Sequence, residues 1–339
     1  MKKYNPPLVT VIIPIYNAGA YLSEALDSIM NQTFTNFEVL LINDGSTDDS
    51  NIIIDKYKKK YKNIKVINNR MNLGLIATLN KGLEVVKSKY IARMDSDDIA
   101  SIDRLRVQVE YMENNPEIDI SGTWIEVFGK YNYLWKTPIT HDEIVAKLMF
   151  ECSIAHPSVM LKTNSLKRYN LKYPIQYKNA EDYGLWMLAS RKLKFANIPQ
   201  TLLRYRTHNR QIGFSEQKSQ QVASQRVRIK QVRRLLKPTS MENLIHAKLG
   251  SWVPLTNFSE LITTTKWLYK LHASNVEKHI YSVKIFDQIL SARLFVELII
   301  SKNVGWYKWV MIILSPYAYN TVVRIILAKY YPSKFEMSY

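Results

Sequence analysis

The strongest constraint on how this chain folds is a repeated switch of hydrophobic period along its first hundred residues. Leu8-Val9-Thr10-Val11-Ile12-Ile13-Pro14-Ile15 is a β-branched apolar run that reads as a buried strand, ending in the polar loop that begins at Tyr16-Asn17. A helical pattern follows, with Leu22, Ala25, Leu26, Ile29 and Met30 on one face. The switch recurs at Phe37–Asn43, a second apolar strand that delivers Asp44 at its end. Gly45 there permits a sharp turn into a Ser/Thr/Asp-rich helix start. It recurs again where Ile64–Asn68 leads through Asn72-Leu73-Gly74 into a helix over 75–86, and once more at Tyr90-Ile91-Ala92. Such alternation predicts an α/β fold, Rossmann-like, with a mostly parallel central sheet and helices on both faces. Ligands of such sheets bind beyond the carboxyl ends of the strands. Asp44, Asn72, Asp95 and Asp97 all fall at those ends, so they are placed to meet one ligand.

The fourth strand closes with Arg93-Met94-Asp95-Ser96-Asp97-Asp98. Carboxylates packed that densely repel unless a cation lies among them. An oxygen-rich donor set at a strand end suits Mg²⁺ or Mn²⁺, which keep waters and bind through one or two carboxylates plus substrate phosphates. The plainer account is an acidic turn or a helix start, where Asp is common. Farther on, Glu181-Asp182 stands just before the apolar helical stretch Leu185–Leu188, as a general acid–base pair or as carboxylates favoured at a helix N-terminus.

Composition narrows the choice. The chain of 339 residues is long enough for one domain of about 200 residues plus an appendage. A single cysteine, Cys152, rules out an intrachain disulfide and fits a reducing compartment. No Walker loop and no Gly-x-Gly occurs, which argues against P-loop and dinucleotide-fingerprint enzymes. The basic, apolar start only mimics a signal peptide, because its short apolar run holds Pro14 and serves as the first strand. Residues 1–200 carry 26 Lys/Arg against 22 Asp/Glu, whereas residues 201–339 carry 21 against 7, so most of the net +18 lies in the second part.

Taken together, Val11–Asn17, Asn43-Asp44-Gly45-Ser46-Thr47-Asp48, Asn72-Leu73-Gly74 and Met94–Asp98 resemble the motifs of glycosyltransferase family 2, with the GT-A fold. The resemblance continues through Ala155-His156-Pro157-Ser158, Ala180–Trp186 and Tyr205-Arg206-Thr207-His208, and covers roughly residues 7–215 in order. It implies an inverting, metal-dependent transfer of sugar from a nucleotide donor, of UDP type, to a lipid-linked or glycan acceptor in capsule, O-antigen or similar polysaccharide synthesis. By the same resemblance Asp97 is the main metal ligand and Asp95 a ribose or water-mediated metal contact, while Asp98 is structural or a helix-start residue. Asp44 would accept hydrogen bonds from the nucleotide base, with Pro14, Tyr16 and Asn17 lining the pocket. Asn72 and Gly74 mark close backbone approach to the nucleotide or plain turn chemistry. Arg206 and His208 would reach the diphosphate, His208 also the metal, which is Mn²⁺ or Mg²⁺. Asp182 would be the general base, with Glu181 its structural or acceptor-binding partner. Gly184 departs from the family's usual Asp and is expected to loosen the helix start. His156, Cys152, Trp124, Trp135 and Trp186 are assigned to packing.

The domain reading is a catalytic part over 1–215, divided near 115 into donor and acceptor portions, and a helical basic region over 216–339. In the latter, Ser215–Leu236 reads as an amphipathic basic helix carrying Arg226, Arg228, Lys230, Arg233 and Arg234, and further helical patterns cover 241–250, 258–273 and 276–301. The aromatic, apolar stretch over 304–327 is interrupted by Lys308, Pro316 and Arg324, too short between charges for a spanning helix. Apolar helices flanked by Trp, Tyr and Lys/Arg suit the membrane interface, which predicts a cytoplasmic protein held peripherally on anionic lipid at the inner face of the cell membrane. Packing on the catalytic part or within a homodimer is the other account. No recognition motif for nucleic acid accompanies the charge. Two competing function classes are a sugar nucleotidyltransferase, disfavoured by the missing Gly-rich N-terminal loop, and a non-catalytic scaffold, disfavoured by the intact carboxylates.

Overall fold

A computed structural model describes residues 7–209 and 216–301, so the aromatic stretch over 304–327 lies outside the described residues. The chain divides into two compact units, one of residues 1–141 and 154–217, the other of residues 142–153 and 218–339. The short segment 142–153 therefore groups with the helical half of the chain.

The first unit is built on a nine-stranded sheet. Its strands are β1 (Val9–Ile15), β2 (Phe37–Asn43), β3 (Ile64–Asn68), β4 (Tyr90–Arg93), β5 (Ile99–Ala100), β6 (Ile120–Gly129), β7 (Tyr133–Trp135), β8 (Met160–Lys162) and β9 (Phe195–Thr207). They lie in the order β3-β2-β1-β4-β8-β6-β9-β5, with β7 beside β6. The first four are parallel, as expected for β-helix-β crossovers. β8 enters antiparallel between β4 and β6, and β9 runs parallel to β6.

Helices α1 (Leu22–Met30), α2 (Ser50–Lys60), α3 (Leu75–Val85) and α4 (Arg104–Asn114) follow the strands. The period of two assigns each strand residue to a face. Val9, Val11, Ile13 and Ile15 join Leu22, Ala25, Leu26, Ile29, Ile54 and Tyr57 in one core cluster, so α1 and α2 cover that face. Ile12 and Ile42 point the other way, against α3, where Gly82 brings the helix close to both. Helices thus pack on both faces, as the sequence predicts. Pro14 is tolerated in a central strand for a geometric reason. On the β4 side the last rung is Met94 N–H to Ile12 O (3.2 Å), and on the β2 side Asp44 N–H bonds Ile15 O (2.8 Å). By alternation Pro14 faces the side on which β4 has already ended, where no N–H is needed.

The second unit holds α5 residues after His141 (α5 is His141–Lys147) and helices α8 (Gln217–Leu235), α9 (Ser240–Gly250), α10 (Phe258–Lys278) and α11 (Val283–Ile300); α6 (Thr163–Arg168) and α7 (Glu181–Ala189) belong to the first. Two arginines tie the second unit internally. Arg228, expected on the basic surface of its helix, is buried and donates to the carbonyls of Phe150 and Gly250 (2.6 Å each) and to Ser251 Oγ (2.9 Å). Arg293 pairs with Glu151 (2.6 Å) and lies over the Trp252 ring (3.8 Å). A guanidinium buried this way replaces water with carbonyl and carboxylate acceptors, which is the condition for burying a charge at all. Among the described residues no helix is long and apolar enough to cross a membrane.

Candidate active site

Where β1, β2 and β4 end, the loops are held by reciprocal hydrogen bonds rather than by apolar contact. Asn17, in left-handed conformation (φ 51°), donates its backbone N–H to Ser46 Oγ (3.0 Å), and its side-chain oxygen accepts from Thr47 N–H (2.9 Å). Tyr16 beside it is half exposed, and Pro14 is buried within β1. Asp44 is buried, and its carboxylate accepts from Asn69 Nδ2 (2.7 Å), Leu73 N–H (2.9 Å) and Gly74 N–H (2.9 Å). Asn72 Oδ1 takes a share of the same Gly74 N–H (2.8 Å). Asp44 therefore shapes the Asn72–Gly74 loop, and any contact to a nucleotide base would add to that task. Gly45 is required twice over: φ is +73°, and a Cβ would stand 2.7 Å from the Met71 carbonyl carbon.

Two strands away, about 10 Å across the sheet, the acidic turn leaves β4. Arg93, buried, forms a bidentate pair with Asp95, with Nη1–Oδ2 at 2.6 Å. Asp97 Oδ2 lies 2.9 Å from His208 Nε2. Asp98 is fully buried: Oδ1 accepts the Arg206 N–H (2.9 Å), while Oδ2 has no partner among the described residues. It precedes β5, not a helix, so of the two roles expected for it the helix start is corrected, and the structural one takes the form of a strap between the acidic turn and β9. Burial raises Asp98 well above the ordinary carboxylate range, reinforced by the charges of Asp95 and Asp97. Asp95 is raised to about 6 by burial, with Arg93 pulling the other way. Ligand atoms of Asp95, Asp97 and Asp98 all lie within 4.8 Å of one another. This oxygen-rich set, with an orphaned Asp98 oxygen and an imidazole on Asp97, fits a hard divalent cation such as Mg²⁺ or Mn²⁺.

Arg206 holds this turn in place. Its Nε donates to the Asp97 carbonyl (2.9 Å), it pairs with Glu24, and its guanidinium lies 4.6 Å from the ring centres of both Tyr21 and Phe128. The guanidinium thus has anchoring work before any phosphate. His208 packs on Tyr21 (centroids 4.8 Å apart), so α1's entry loop closes the same corner.

Glu181 and Asp182 occupy the first turn of α7. Glu181 is buried and raised to about 7, first by burial and then by the Asp182 charge; Arg93 opposes. Asp182 also raises Asp95, which places the two carboxylate groups within electrostatic reach of one another. Gly184 does not loosen this helix. Its N–H bonds Ala180 O (2.9 Å), and a Cβ would stand 2.5 Å from Tyr177 and 2.8 Å from Pro174, so its bareness admits the preceding turn. Tyr173 lies within electrostatic reach of Asp95, Glu181 and Asp182, and its hydroxyl is 2.8 Å from His156 Nε2. Burial and Arg93 hold His156 well below its usual range, and burial raises Tyr173, so the tyrosine O–H donates to a neutral imidazole. Tyr173, Asn69 and Tyr21 escaped the sequence reading, and Arg93, named there as the start of the acidic run, was given no role. Only Arg93, a charge closing an apolar strand, carries a local signal; the others are placed by tertiary contact.

Residues 10–176 match the model of Glycosyl transferase family 2. An uncharacterized glycosyltransferase of Haemophilus influenzae is 38% identical over 218 residues, 61% of this chain and 68% of that protein. Another, of Methanocaldococcus jannaschii, is 36% identical, covering 64% and 77%. The chain belongs to glycosyl transferase family 2. Solved structures agree in fold: S. aureus TarS 1-349 in complex with UDP-GlcNAc (TM-score 0.53, 18% identity, 94% of this chain and 81% of that one) and the mannosyltransferase PcManGT of Pyrobaculum calidifontis with GDP-Man and Mn²⁺ (0.50, 16%, 98% and 83%). This glycosyltransferase therefore carries a GT-A-like domain, and its acidic turn stands where that sheet leaves its parallel strands.

Proposed function

We propose that this enzyme is an inverting, metal-dependent glycosyltransferase that moves a sugar from a UDP-linked donor to a lipid-linked or glycan acceptor of surface-polysaccharide synthesis. The observation that supports it most is the grouping of Asp95, Asp97 and His208 with Glu181 and Asp182, both carboxylate groups within electrostatic reach of Arg93. Asp97, His208, Asp95 and the free oxygen of Asp98 would hold Mn²⁺ or Mg²⁺, which supplies charge neutralisation for a departing diphosphate. Asp182 would take the proton of the acceptor hydroxyl as it attacks, since an alcohol is a poor nucleophile until deprotonated in the transition state. Direct displacement inverts the anomeric centre, so an α-linked donor gives a β-linked product. TarS with UDP-GlcNAc and PcManGT with GDP-Man and Mn²⁺ support a nucleotide-sugar donor and leave the base open.

The uneven charge supports a peripheral place on anionic lipid at the inner face of the membrane. A scaffold without catalysis would have no need of a buried Glu181 beside Asp182, and a nucleotidyltransferase no need of a base.

Calorimetric titration with UDP, GDP and CMP, with and without Mn²⁺, tests the donor reading. UDP binding that needs the metal and is lost in Asp97→Asn is expected. Folded protein that binds no nucleotide at all would overturn it in favour of the scaffold.

A further inference from the structure

Once Arg228 and Arg234 are removed from the basic helix, what remains is ordered. Arg228 is buried on carbonyls, and Arg234 turns to Gln231 Oε1 (3.2 Å) and lies over the Tyr281 ring. Lys218, Val222, Arg226, Lys230, Arg233 and Lys237 are all exposed. The spacing of four, four, four and three residues from Lys218 to Arg233 keeps those five within about a third of the helix circumference, in a row about 23 Å long, and Lys237 follows two residues beyond the end of α8. The opposite side carries the buried Ala223, Val227, Arg228, Gln231, Val232 and Leu235 of α8. No Asp or Glu occurs anywhere in Gln217–Leu235, and among the described residues none of the five cations takes part in an ion pair. Like charges at i,i+4 repel, so each such pair weakens the helix that carries it. Five in a row without a counter-charge is an arrangement that a structural role does not explain.

We infer that this row is the surface by which the enzyme docks on an anionic lipid bilayer, an inference that rests on the peripheral-membrane part of the proposed function. Charge complementarity selects an anionic partner, and the geometry selects a plane. A straight row on one helix face touches a flat surface along its whole length. It offers no acidic side chain to recognise a particular headgroup. Among the described residues these Lys and Arg have no ion-pair partner to constrain them, so they can follow mobile headgroups, and Val222 and the half-buried Ile229 are the apolar residues on that face. Binding is then electrostatic, falls with salt, and loses about fivefold for each cation removed.

The test is co-sedimentation of the full chain with phosphatidylcholine vesicles, with and without phosphatidylglycerol. The wild type is compared with Lys218→Gln, Arg226→Gln, Lys230→Gln, Arg233→Gln and Lys237→Gln combined. A control of equal net charge neutralises the exposed Lys56, Lys58, Lys59, Lys60 and Lys62 of the first unit. Expected is binding of wild type and control to anionic vesicles only, with the row variant weaker by at least a hundredfold and its circular dichroism and UDP titration unchanged. Equal binding by wild type and row variant, or equal loss in the control, overturns the row as the docking surface. A wild type that ignores anionic vesicles removes the membrane reading itself, and if it binds soluble polyphosphate instead, the occupant is a polyanionic chain. Neither result touches the nucleotide titration, which tests the donor reading by itself.

Discussion

Asp182 and Glu181 are neighbours in sequence but differ in surroundings. Glu181 is buried and held near neutral pH, so at pH 7 about half of it keeps a proton, whereas Asp182 is partly open at the helix start. A group that keeps its proton is a poor base, and the open one is the better candidate. Asp182→Asn is expected to fold, bind UDP with unchanged affinity and lose at least a hundredfold in transfer rate; turnover close to wild type would assign the base elsewhere. Of the residue-scale site, the acidic turn and Asp44 were legible because each ends an apolar strand, and the Glu181-Asp182 pair because it opens an apolar helical stretch. Tyr173 and Asn69 were not. Both act through hydrogen bonds to residues 17 and 25 positions away, and nothing in a local pattern marks a tyrosine or an asparagine as a partner at such a distance.

At the scale of elements, periodicity located most strands and helices, since Val9–Ile15 and Phe37–Asn43 are apolar on both faces while α1 is apolar on one. It failed where an element's inner face is charged. Arg228 looks like the cations around it, and only the carbonyls of Phe150 and Gly250 distinguish it. Gly184 shows the same limit. Read as a weak helix residue, it is instead the point where the turn at Ile175–Tyr177 packs on α7. Replacing it by alanine sets two magnitudes against each other: about 1 kcal/mol gained in helix propensity and about 1–3 kcal/mol lost to overpacking. With Tyr177 and Pro174 at 2.5 and 2.8 Å from the added carbon, the loss is expected to win. A lowered urea midpoint for Gly184→Ala would bear this out; a raised one would mean that the turn yields freely.

For the whole molecule, stability should fall on the alkaline side through a residue far from any chemistry. Glu297 is fully buried, neither carboxylate oxygen has a hydrogen-bond partner among the described residues, and burial raises it to about 8 despite Arg293 nearby. The folded state holds this proton more tightly than the unfolded chain. The contribution is therefore complete below about pH 4.5 and is lost as pH climbs through about 8. Glu297→Gln removes the ionisation and should raise the thermal midpoint relative to wild type at pH 9, by up to about 5 kcal/mol in stability, with little change at pH 5. An equal effect at both pH values would mean the carboxyl is neutral throughout. The sequence had no means of showing this. An isolated Glu among apolar helical positions reads as a solvated one until the packing of α11 is known.

The bond between Asp97 and His208 joins residues 111 positions apart, and Asp98 is fastened to β9 just before that histidine. On the ribosome, the acidic turn is complete long before the strand that steadies it has been made. A nascent chain carrying every motif up to residue 195 would have its carboxylates but not their clasp. The order of synthesis therefore leaves the acidic turn without its support until the last strand of the domain has been made.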